Sequence, residues 1–180
     1  NKKQAERFGE ALFTHHGISG PIILDISKEV GQLLKKGPVE LHIDFKPALD
    51  FEKLDNRLLR DLQQFSNKSM KNIMSGLLPK RLIAIMLEKA EIDPEKKGHS
   101  VSRKERKRLR LLLKEFPFTV RSLAGFAKAV ITSGGAALNE IDSTTMRSKK
   151  IDNLFFAGEI LDLDGPTGGF NLQVCWSTGW

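Results

Sequence analysis

Apolar positions along this 180-residue chain change period several times, and each change marks a different kind of element. The run from Gly9 to Pro21 reads as a short strand followed by a tight loop. Ser19-Gly20-Pro21 then suits a helix start, because the first turn has no use for the N–H that proline lacks. Ile22, Ile23, Ile26, Val30 and Leu33 follow at helical spacing until Gly37-Pro38 stops the run. Val39, Leu41, Ile43 and Phe45 alternate with Glu40, His42 and Asp44, the period of a strand with one face buried and one wet.

From 47 to 116 the period is helical throughout, with helices expected at 51–65, 69–78, 79–90 and 102–115 between short polar breaks. Leu54, Leu58, Leu62 and Phe65 form one apolar stripe, and Leu82, Ile83, Met86 and Leu87 another. Strand-type signals return at 118–120, 127–132 and 143–146, punctuated by Ser133-Gly134-Gly135. The pattern predicts an α+β chain in which a helical insert, 47–116, interrupts a β-rich unit made of 1–46 and 117–148. Residues 149–180 form a third segment.

Composition is that of a folded soluble protein, 40% hydrophobic and 28% charged. The single cysteine, Cys175, excludes an internal disulfide, and no apolar run is long enough to span a bilayer. With no secretory leader in the sequence, a reducing, cytoplasmic setting is expected. The net charge of +7 is local: Lys96, Lys97, Arg103, Lys104, Arg106, Lys107, Arg108 and Arg110 lie in one stretch. Such a run fits an anionic partner or a solvated helix face.

The third segment carries the chemistry. Leu154-Phe155-Phe156-Ala157 reads as a strand, Leu161-Asp162-Leu163-Asp164-Gly165-Pro166-Thr167-Gly168-Gly169 as a glycine-rich turn, and Phe170, Leu172, Val174, Cys175 and Trp176 as a helix behind it. A loop of this kind offers backbone N–H groups and the positive end of a helix dipole to a phosphate, a carboxylate or an electron-rich ring. Glu159 is placed to accept hydrogen bonds from sugar hydroxyls. The same glycines are also ordinary turn formers, and the residues alone leave both readings open.

The run Gly158-Glu159-Ile160-Leu161-Asp162-Leu163-Asp164-Gly165-Pro166-Thr167-Gly168-Gly169-Phe170-Asn171-Leu172-Gln173 closely resembles the carboxy-terminal FAD motif of the bacterial HI0933-like, or BaiN, flavoproteins. Leu12-Phe13-Thr14-His15 with Gly17-Ile18-Ser19-Gly20-Pro21 is similar to a second signature of that family. Ile131-Thr132-Ser133-Gly134-Gly135 and Thr145-Met146 with Ser148-Lys149 resemble weaker landmarks, so the likeness covers nearly the whole chain.

The resemblance implies a partial β-barrel-like domain, a helical insert, and the C-terminal strand, loop and helix of a split glutathione-reductase-type FAD-binding domain at 149–180. It implies an FAD-dependent oxidoreductase that transfers hydride between flavin and a small organic substrate, with NADH or NADPH as candidate reductant. Asp162, Gly168, Gly169, Phe170 and Asn171 would surround the isoalloxazine edge, and Glu159 the ribityl or ribose portion. The family's amino-terminal βαβ unit supplies the pyrophosphate fingerprint G-x-G-x-x-G. That pattern does not occur here, so the chain reads as a carboxy-terminal fragment, expected to hold FAD weakly and to be inactive by itself.

His15 falls on the second signature and is a candidate for proton transfer; a structural loop role is the competing expectation. His42 and His99 have no metal-ligand spacing around them, and no metal is expected. Cys175 lacks a C-x-x-C partner, which favours direct hydride exchange over a dithiol relay. The alternative to an enzyme is a nucleic-acid-binding module that uses the basic helix at 102–115. The stretch has no aromatic residue to stack on bases, and its leucines suggest an apolar face with a solvated basic back, which weighs against that alternative.

Overall fold

The computed structural model describes residues 3–180, which divide into two units: 3–39 with 121–180, and 40–120.

The second unit owes its stability to one core. Helix α2 (Phe51–Gln64) begins at Asp50, whose carboxylate accepts the Lys53 N–H at 2.7 Å, and it buries Leu54, Leu58 and Leu62. Short α3 (Met70–Met74) contributes Met70, Ile73 and Met74, and α4 (Lys80–Lys89), preceded by Pro79, contributes Ile83, Met86 and Leu87. Helix α5 (Arg103–Lys114) is started by a capping box in which Ser102 and Glu105 satisfy each other's backbone N–H groups. It places Leu109 and Leu113 in the core, whereas Leu111 is 49% exposed. Strands β3 (Val39–Ile43) and β4 (Phe116–Val120) pair beside the helices, and Phe116 packs edge-on against Phe45.

The first unit is built differently. Strands β1 (Leu12–Thr14) and β2 (Gly17–Ser19) form an antiparallel hairpin in which Phe13 opposes Ile18. Helix α1 (Pro21–Leu34) follows, with proline in its first turn as the sequence predicts. Helix α6 (Phe170–Gly179) ends the chain and buries none of its residues. Among the described residues of this unit the buried apolar side chains are Val30, Ile141 and Leu161, whereas Phe126, Phe155, Trp176 and Trp180 are exposed.

Three expected strands are not strands. Residues 126–128 form a turn of 3₁₀ helix. At 143–146 the Asp142 carboxylate accepts the Thr144 and Thr145 N–H groups, both at 2.9 Å, and turns the chain before pairing can extend. At 154–157 pairing is limited to a bridge between Arg147 and Phe155, and Gly158–Ile160 coils at once into a 3₁₀ turn. The strand of the expected strand, loop and helix is therefore a single bridge; the loop and the helix are present.

Candidate functional site

The loop at 161–169 is held by three neighbours, all in the first unit. On one side the segment carrying Ser133-Gly134-Gly135 crosses it main chain to main chain. The Ala136 N–H donates to the Ile160 carbonyl at 2.8 Å, and the Asp162 N–H donates back to the Ala136 carbonyl at 3.0 Å. Gly135 makes the crossing feasible, since a methyl group there would sit 2.3 Å from the Ile160 carbonyl oxygen.

From α1, Asp25 accepts the Thr167 N–H at 2.6 Å and the Thr167 hydroxyl at 3.2 Å. One turn further along, Lys28 pairs with Asp164 at 2.6 Å, and the Ser133 hydroxyl donates to the same carboxylate at 3.1 Å. The Lys28 hydrogen bond, with help from Ser133, holds the Asp164 carboxyl below its ordinary range, and Asp164 in turn raises the Lys28 ammonium. Of the loop's two carboxylates, Asp162 and Asp164, the second is thus ion-paired in place.

Helix α6 supplies the third support. The Asn171 side chain closes on Gly165 in both directions: Oδ1 accepts the Gly165 N–H at 2.8 Å and Nδ2 donates to the Gly165 carbonyl at 3.0 Å. Near the other end of α6, the Thr178 hydroxyl accepts the Gly158 N–H at 2.8 Å, and a methyl group at Gly158 would meet the Cys175 sulfur at 3.5 Å. The start of α6 has no side-chain cap and no acidic residue in its first turn, and Gly168, Gly169 and Phe170 there are exposed.

Of the residues singled out in the sequence, Asp162, Gly168, Gly169, Phe170 and Asn171 lie together on this loop and the first turn of α6. Gly168 and Gly169 are exposed, with φ of +116° and +93°. Phe170 is 57% exposed, whereas the Asn171 side chain is half-buried and engaged with the loop. Glu159 lies in the preceding 3₁₀ turn with its side chain in solvent. His15 sits at the exposed tip of the hairpin, where the turn is closed by Thr14: its hydroxyl donates to the Gly17 carbonyl at 3.1 Å. Among the described residues, no hydrogen bond or ion pair joins His15 to the loop. No group of three or more His, Cys, Asp or Glu among the described residues is placed to hold a metal, and no helix among them is long and apolar enough to cross a membrane.

Sequence reasoning missed Asp25, Lys28, Ser133 and Thr167 as supports. A faint signal for two of them existed, since Asp25 and Lys28 lie one turn apart on a helix whose first half is otherwise largely apolar.

A hairpin leading into a proline-started helix, with a glycine loop pinned to that helix, marks the first unit, and a core of capped helices marks the second. Residues 1–131 match the family model described as HI0933-like protein barrel and H2TH domain, and the chain belongs to the HI0933-like family. It is 32% identical over 171 residues to a ribosomal RNA dihydrouridine synthase of Escherichia coli (strain K12), covering 94% of this chain and 40% of that protein. It is 34% identical over 175 residues to the ribosomal RNA dihydrouridine synthase of Haemophilus influenzae, with 96% and 41% covered. A 3-dehydro-bile acid delta(4,6)-reductase of Clostridium scindens is 29% identical over 177 residues, with 98% and 43% covered. The chain spans about two fifths of the length of these curated relatives.

Proposed function

We propose that this chain is part of an FAD-dependent oxidoreductase that adds hydrogen across an activated carbon–carbon double bond of an organic substrate. The observation that carries this is the loop at 161–169, fixed by Asn171, Asp25 and the Ala136 crossing against the uncapped start of α6. The relatives' names add to it, since a dihydrouridine and a Δ4,6 reduction each describe two hydrogens gained at a carbon–carbon double bond.

FAD, when bound, would supply hydride to one carbon of that bond. The residues present fit the flavin end of such a cofactor: Gly168 and Gly169 put no side chain between backbone and ring, and the free N–H groups of the α6 start would stabilise negative charge on a reduced ring. Glu159 would accept hydrogen bonds from ribityl or ribose hydroxyls, and Asp162 and Phe170 would flank the ring edge. Asn171 would act by holding the loop. His15, on the family's second signature, is the proposed donor of the proton to the second carbon, and NADH or NADPH the proposed reductant.

The test is the visible absorption spectrum of the protein at its full native length, beside its Gly168→Val variant. A flavin band bleached by anaerobic NADH or NADPH, and lost in the variant, is the expected result. A valine would be strained at φ +116°, a backbone conformation that side-chain-bearing residues rarely adopt, and its Cβ would touch the Phe170 ring at 3.5 Å. Colourless protein that takes up no added FAD would overturn the proposal.

A further inference from the structure

The second unit holds 18 lysines and arginines against 12 aspartates and glutamates, a net +6 of the chain's +7. Helices α2 and α5 gather part of this charge into a cleft of about 200 Å³ lined by Asp55, Arg103, Arg106, Lys107 and Arg110. Four cations face one carboxylate. Arg106 and Arg110 share Asp55, at 3.2 and 3.6 Å, whereas Arg103 and Lys107 have no acidic partner among the described residues. The Arg110 Nε is buried without any acceptor, the one such side-chain atom among the described residues.

A cleft whose lining side chains carry a net charge of +3 favours an anion. Arg103 and Arg110 are seven positions apart on α5, about 10 Å at the helical rise, which is longer than a single phosphate and suits a run of them. The aromatic surface that the basic stretch lacks in sequence is supplied by tertiary structure. Phe51, at the start of α2, lies under the Arg110 guanidinium at 5.6 Å and is still 39% exposed, a face on which a base can stack.

We propose that the α2–α5 cleft binds the phosphate backbone of a single-stranded RNA segment, with Arg103, Lys107 and Arg110 on successive phosphates and Phe51 beside a base. The choice of RNA over a small anion deepens the reductase reading and rests on it, through the relatives named for ribosomal RNA.

The experiment is fluorescence anisotropy of a short fluorescein-labelled oligouridylate with the protein at its full native length, titrated over a range of salt. Each phosphate contact on a single strand contributes about 0.7 to the logarithmic salt slope, or about 5-fold in affinity at 0.1 M salt. Arg103→Gln with Lys107→Gln is expected to weaken binding about 25-fold and to flatten the slope by about 1.4. Arg103→Glu with Lys107→Glu should weaken it further. Lys80→Glu with Arg81→Glu, an equal change of net charge at the exposed start of α4, should leave binding near wild type. Wild-type affinity in the Arg103 and Lys107 variants would overturn the proposal. So would an equal loss in the α4 control, or uptake by phosphatidylserine vesicles with the same dependence on Arg103 and Lys107 while the oligouridylate is not bound. The flavin band is read in the same samples: its absence with RNA binding intact would remove the reductase reading and leave the cleft assignment standing.

Discussion

Replacing Asn171 with alanine separates holding the loop from touching the cofactor. The amide makes two hydrogen bonds to the backbone of Gly165, at 2.8 and 3.0 Å, and both are half-buried. Each is worth about 0.5–1.5 kcal/mol, so their joint loss takes about 1–3 kcal/mol from the closed loop. If closure must precede flavin binding, the middle of that range, about 2 kcal/mol, is about a 30-fold rise in the FAD dissociation constant. The assay is quenching of flavin fluorescence as apoprotein of full native length is titrated into FAD. Asn171→Asp should be no better than alanine: it keeps an acceptor for the Gly165 N–H but turns a second acceptor toward the Gly165 carbonyl. Leu172→Ala, one residue on and 66% exposed, should bind like wild type. Wild-type affinity in Asn171→Ala would refute the idea that this bracket sets the loop for flavin.

Other expectations concern stability. Glu105 is lowered from its usual 4.5 to about 2, first by the Lys96 hydrogen bond and then by the bonds from Ser102. A depressed carboxylate stabilises the fold above its unfolded value and loses that contribution as pH falls through its folded one. Glu105→Gln should therefore cost about 1–2 kcal/mol at pH 7, after allowing for solvent screening, and the gap in urea denaturation should close between about pH 4.5 and pH 2. Leu54→Ala, at a fully buried position among four helices, should cost about 2–5 kcal/mol, whereas Leu111→Ala should stay within about 0.5 kcal/mol, both followed by the helical signal during denaturation.

How far the sequence could be read depended on where each segment finds its partners. The boundaries of α2, α4 and α5 were legible because caps and apolar stripes act within a few residues, as at Asp50, Pro79 and Ser102. The short strands expected at 127–132, 143–146 and 154–157 were not, since a strand requires a neighbour and local chemistry such as the Asp142 turn can win instead. The glycine loop was visible as a motif, but its clamps were not: Asp25 reaches Thr167 across 142 positions of sequence. The basic helix was visible as charge alone. What it lacked in sequence, an aromatic neighbour, came from Phe51 on another helix.

The crossing at Gly135 also bears on how this protein tolerates sequence change. Beside the Ser133 hydroxyl on Asp164, the loop and the segment at 133–136 meet through carbonyl and N–H groups at Ala136, so that part of the seam does not depend on the side chains at 136, 160 or 162. Drift at those positions leaves the seam intact, whereas any side chain at 135 wedges it open. Two strips of backbone thus meet in a joint whose tolerance is set by one missing atom, and relatives that differ at two thirds of their positions can share it unchanged so long as that atom stays absent.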